Sequence, residues 1–138
     1  LRSGQRLFTL ATDDNHNRLP LDHPLCDSFG GFVMIAAREL TYPAVMEALK
    51  AGTFYWSQGP QLRGLSVEDG VLQVKTSPVE KIFLTLENRD SYKVVAAPGE
   101  TITEAKFTLN GTEGWFRVQV RDSKGFFAGS NAYFIDQL

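Results

Sequence analysis

From Thr53 onward the chain is cut into short runs of valine, phenylalanine, tyrosine and threonine by glycine-containing turns, and this punctuation restricts more than half of the molecule to β structure. The clearest unit is "LRGLSVEDGVLQVKT", Leu62 to Thr76. Its Asp69-Gly70 pair supplies the residues that a tight hairpin turn with positive φ requires. "EKIFLTLE", "YKVVAA", "EAKFTL", "WFRVQVRD" and "FFAGSNAYFI" read as further strands, with "NGTEG" and "DSKG" as turns. In "WFRVQV", Phe116, Val118 and Val120 alternate with Arg117 and Gln119, which predicts one buried and one wet face. About seven short strands spaced in this way point to a β-sandwich of immunoglobulin-like type.

The first sixty residues are organised differently. "LFTLA", Leu7 to Ala11, reads as a short strand. The polar stretch Asp13 to Ser28 has neither helical nor alternating periodicity and reads as a long irregular loop, a kind that is often functional. "FVMIAA" after Gly30-Gly31 is a short apolar run suited to a buried strand. One helix follows: Thr41 or Tyr42 caps it, Pro43 sits in its first turn and Gly52 closes it. Val45, Met46 and Leu49 then share its core-facing side. The expected organisation is residues 1–60 as strand, loop, strand and helix, and residues 61–138 as the sandwich.

At 138 residues, 43% apolar and 22% charged, the chain has the size and composition of one folded domain. A formal charge of -2 without any lysine or arginine run argues against nucleic acid and anionic membrane as partners. No apolar run approaches the ~20 residues that span a bilayer. The single cysteine, Cys26, precludes an intrachain disulfide and suits a reducing compartment, so the cytoplasm is the expected location. Opening on Leu1 rather than methionine suggests a piece of something longer.

The residues with candidate chemistry lie in the loop. Asp14 and His16 form Asp-x-His just past the first predicted strand, where a carboxylate and an imidazole can turn toward one Zn, Mn or Fe ion. A polar strand-end turn explains the same residues without any metal. Asp13, Asp22, His23 and Asp27 lie close enough in sequence to join them, and Arg18 has the planar fork that grips a phosphate. Tyr55, Trp56, Trp115, Phe126 and Phe127 are candidates for a sugar platform, though core packing is the commoner role of such aromatics. "NGT" at Asn110 to Thr112 fits a glycosylation acceptor and, equally, a turn. Walker, dinucleotide and nucleophile-elbow motifs are absent from the sequence.

Taken in order, "ATDDNHN", "DSFGGFVMIAARELTYPAVMEALKAGTFYWSQGP", "LSVEDGVLQVKTSPVEKIFL" and "FRVQVRDSKGFFAGSNAYF" resemble the C-terminal part of bacterial proteins with a polymerase and histidinol phosphatase (PHP) domain. The resemblance covers nearly the whole chain. It implies a metal-dependent phosphoesterase whose barrel carries a cluster of divalent ions at the strand ends. The family's late Asp-x-His would fall on Asp14 and His16, and "GFVMIAARELTYPAVMEALKAG" would be the last strand and helix of the barrel. Its earlier ligands, a His-x-His with further histidines and a glutamate, have no counterpart, since the only histidines are His16 and His23. The expectation is therefore a C-terminal fragment, inactive and without bound metal by itself. Its partner would be the rest of the barrel, with a homodimer as a further option. The alternative is a non-catalytic β-sandwich module for binding or oligomerisation.

Overall fold

The alternation of apolar and polar residues resolves into ten strands and one helix in a computed structural model that describes residue 1, residues 5–88 and residues 90–137. The strands are β1 (Phe32–Ile35), β2 (Phe54–Ser57), β3 (Leu62–Glu68), β4 (Val71–Val79), β5 (Lys81–Leu86), β6 (Ser91–Val95), β7 (Ile102–Thr108), β8 (Trp115–Arg121), β9 (Phe127–Ser130) and β10 (Tyr133–Phe134). Helix α1 (Tyr42–Ala51) separates β1 from β2, and a 3-10 turn (Ile135–Gln137) follows β10. Among the described residues no helix is long and apolar enough to cross a membrane.

The strands form two antiparallel sheets, as the sandwich reading requires. One has the order β1-β2-β9-β8-β5-β6, with β10 also paired to β8; the other is β3-β4-β7. Asp69 (φ 49°) and Gly70 (φ 74°) make the predicted left-handed turn of the β3–β4 hairpin. The chain changes sheets at the β4–β5 junction. Val79 still pairs with Ile102, whereas the amide of Glu80 already donates to Arg121. A register shift between Lys75 and Val79, around Pro78, absorbs the bend. The expected division near residue 60 falls between β2 and β3, and the seven-stranded sheet draws strands from both sides of it.

Between the sheets lies one apolar core. Leu72, Val74 and Val79 of β4 and Phe107 of β7 face Ile82, Leu84 and Leu86 of β5, with Phe116, Val118 and Val120 of β8. Each such side chain contributes about 1.5–3 kcal/mol on burial. The opposite face of β8 is less wet than its sequence predicts, because Arg117 and Gln119 are half-buried in the middle of a wide sheet.

The β7–β8 turn, where "NGT" lies, is held by Glu113. Its Oε1 accepts the Asn110 amide at 2.9 Å although the residue is only 6% exposed. That hydrogen bond, with the amides of Gly111, Thr112 and Glu113 itself, holds the carboxyl below its ordinary value despite burial, which pushes the other way.

Two sequence expectations need correction. Leu7 to Ala11 is not a strand: Leu7 and Leu10 are 59% and 60% exposed, and no β partner runs beside them. A five-residue apolar run forms a strand only where a neighbour offers a free ladder, and here the segment runs as an irregular strap without one. "FFAGSNAYFI" is likewise two strands, β9 and β10, interrupted at Asn131 and Ala132.

Candidate functional site

The polar segment after Ala11 folds as a loop closed on itself. At its base Thr12 passes so near Gly31 that a Cβ there would stand 2.7 Å from the Thr12 carbonyl oxygen, which only glycine permits. A Cβ on Gly30 would stand 3.6 Å from Asp13 Cβ, an ordinary contact that any residue could make. Asp14 and Asn17 adopt left-handed φ values of 53° and 52°, a conformation that short polar side chains tolerate. Asn15 stabilises the turn locally by accepting the Asn17 amide at 2.6 Å, and its own amide donates to Ser28 Oγ across the loop.

This closure brings His16 to Asp27. The His16 amide donates to Asp27 Oδ2 at 2.9 Å, and His16 Nδ1 stands 3.4 Å from the same oxygen. With a carboxylate on the Nδ1 side, Nε2 is the nitrogen left for another partner, the arrangement that orients a metal-binding imidazole. Asp14 is exposed two residues away. Arg18 is exposed on the same loop. The other loop candidates go elsewhere: His23 Nδ1 accepts the Leu25 amide at 3.1 Å, Asp22 is exposed, and Cys26 is a half-buried free thiol. Among the described residues no three His, Cys, Asp or Glu side chains are grouped as an ion would need.

Upstream of the loop, the strap is fastened to the sandwich by residues that sequence reasoning missed. Arg6 pairs with Asp136 at 2.7 Å and lies 4.2 Å over the ring of Phe134. Phe8 meets Phe54 edge-on, centroids 5.8 Å apart, and rests on Gly52. Asn131, only 3% exposed, accepts the Thr9 amide at 2.8 Å and donates to the carbonyls of Gly52 at 2.9 Å and Phe54 at 3.1 Å. Its one sequence signal was an asparagine inside an apolar strand run, where that residue is disfavoured.

The aromatic candidates do not make a common platform. Trp115 is buried, Trp56 lies across Gly129 in the half-buried β2–β9 ladder, and of the five only Phe126 is exposed. A groove of about 560 Å³ does open beside β2 and β3, lined by Met34, Phe54, Tyr55, Leu62, Arg63 and Tyr133 among others. Burial pushes the Tyr55 phenol up in spite of the Leu62 backbone and the Arg63 charge, which favour its ionised form. Compared with family models, curated proteins and solved structures, the chain matches none.

Proposed function

We propose that this chain is the C-terminal part of a PHP-type metal-dependent phosphoesterase, in which Asp14 and His16 are two ligands of a divalent metal cluster completed by an upstream barrel. The observation that carries the reading is the pairing of His16 Nδ1 with Asp27, which leaves Nε2 for another partner on the loop that also bears Asp14. The donor set of one carboxylate and one imidazole suits zinc, manganese or iron. It is too small to retain such an ion alone, so the isolated chain turns nothing over. When bound, the metal would activate a water and neutralise phosphoryl oxygens. Arg18, exposed on the same loop, would contact a substrate phosphate.

The surface supports a missing neighbour. Among the described residues, ten of the fourteen exposed large hydrophobic ones fall between Leu7 and Tyr42, including Leu21, Leu25, Phe29 and Leu40. β1 also forms one edge of its sheet. A domain working alone rarely leaves so much apolar surface around one segment, and the rest of the barrel would cover it. The immunoglobulin-like sandwich would then be an accessory to that barrel.

The test is to extend the reading frame upstream of Leu1 and assay the longer protein with manganese and bis(p-nitrophenyl) phosphate. The expected result is an encoded His-x-His and hydrolysis that falls roughly 100-fold or more in Asp14→Ala and His16→Ala. Hydrolysis unchanged in His16→Ala, or a frame without the histidines, refutes the reading. The second outcome leaves a non-catalytic β-sandwich module.

A further inference from the structure

An asparagine side chain offers two donors and one oxygen acceptor, and Asn131 divides them among three separate segments: the strap at Thr9, the end of α1 at Gly52 and the start of β2 at Phe54. It can do so because the β9–β10 interruption frees it from the ladder. Ser130 beside it fills the gap, accepting the Val118 amide at 3.0 Å and donating to the Asn131 carbonyl at 2.7 Å. Thr9 stands five residues before Asp14. Beyond it the chain is pinned again where Thr12 meets Gly31 and where Asp27 holds His16. The short segment bearing Asp14 and His16 is thus held by Asp27 on its far side and by Thr12 on its near side, and the Thr9 tether behind Thr12 ties that near side to the sandwich.

We infer that Asn131 is a positioning residue: by holding the Thr9 amide it sets where the strap enters the loop, and so where Asp14 and His16 lie. The tether itself is a matter of this chain's own contacts, while its consequence for metal binding rests on the proposed ligand role of Asp14 and His16. A purely structural Asn131 would serve only the Gly52 and Phe54 carbonyls, and freeing Thr9 would then leave the loop unaffected.

Thr9→Pro separates the two, since it removes the Thr9 donor and leaves Asn131 with its other partners. Asn131→Ala removes all three bonds. In this chain, backbone 15N order parameters at Asp14 and His16 are expected to fall from about 0.85 to below about 0.6 in Thr9→Pro, with β5 and β8 unchanged. In the upstream-extended protein, Mn2+ affinity is expected to weaken about 10-fold while KM for bis(p-nitrophenyl) phosphate stays constant. Unchanged order parameters and Mn2+ affinity in Thr9→Pro overturn the inference even if Asn131→Ala fails to fold. Should the extended wild type bind no Mn2+ while Thr9→Pro still loosens the loop, the ligand role is overturned, and with it the part of Asn131 in ligation, whereas the tether stands.

Discussion

Gly52 is the point where helix α1, the strap and β2 converge, and a double-mutant cycle with Phe8 tests whether the strap is seated as described. The helix ends in a Schellman arrangement: the Gly52 amide donates to Leu49 and the Thr53 amide to Ala48, at 3.2 and 2.9 Å, with Gly52 at φ 72°. Alanine in that conformation costs about 1 to 2 kcal/mol. A Cβ on Gly52 would also stand 2.2 Å from Phe8 Cε1, so the ring must leave. Phe8 is 49% exposed, so roughly 100 Å² of its ring surface is covered. At about 25 cal/mol per Å² its loss, with the Phe54 edge contact, comes to about 2 kcal/mol once compaction of the unfolded chain is allowed for. Gly52→Ala should therefore cost about 3 to 4 kcal/mol in the natural chain and about 1 to 2 in a Phe8→Ala background. Urea unfolding followed by the fluorescence of Trp56 and Trp115 reads both values from midpoints at constant m. Additivity to within about 0.5 kcal/mol would refute the seating of Phe8 on Gly52.

Leu84, fully buried in β5 between β6 and β8, should lose about 2 to 5 kcal/mol on Leu84→Ala, while Leu40→Ala, at a site 97% exposed, should stay within about 0.5 by the same urea titration. Equal effects would mean that the core is misplaced. Glu113 has a folded-state pKa lowered chiefly by the Asn110 amide, so its stabilisation is fully present above the unfolded carboxyl value of about 4.3 and is lost as pH falls through the lower folded value. Glu113→Gln should flatten the acid limb of the stability profile, measured by thermal unfolding from about pH 6 down to about pH 2; an unaltered limb contradicts the turn's description. The Arg6–Asp136 pair is solvent-exposed, so Asp136→Asn should change stability by less than about 1 kcal/mol, and Arg6→Ala should cost more because it also strips the Phe134 ring.

How much of this architecture a sequence can disclose depends on the distance over which each decision is made. The β3–β4 hairpin was legible because Asp69 and Gly70 decide the turn within two residues. β8 was legible because its own alternation names its buried face. The helix was legible through Pro43 at its start and Gly52 at its end, although Thr41 caps it without a side-chain hydrogen bond. The change of sheets at Val79 was not. "VLQVKT" and "EKIFLTLE" read as separate strands, but only the pairing of Val79 with Ile102 and of Lys81 with Arg121 assigns them to different sheets. Leu7 to Ala11 failed for the same reason: a strand is a relation between two segments, and composition describes only one of them.

The candidate site divides along the same line. Asp14, His16 and Arg18 stood out because polar residues dense with ligating atoms follow an apolar run, a local signal. Asp27, which orients His16, is eleven residues further on and reaches it only because the loop closes at Thr12 and Gly31. Asn131, which holds the strap, is 122 residues from Thr9. If Asp14 and His16 serve as the proposed ligands, their chemistry depends on such remote contacts, since a carboxylate and an imidazole on a free loop sample many separations and hold none. The strap's contacts with Gly52, Phe54, Asn131 and Asp136 all lie in the β-rich part of the chain or at its junction with the helix. The sandwich is therefore more than an appendage to the loop: by fixing the strap it restricts the positions that Asp14 and His16 can take, and a change deep in the β9–β10 interruption should be felt at His16 before it is felt in the core.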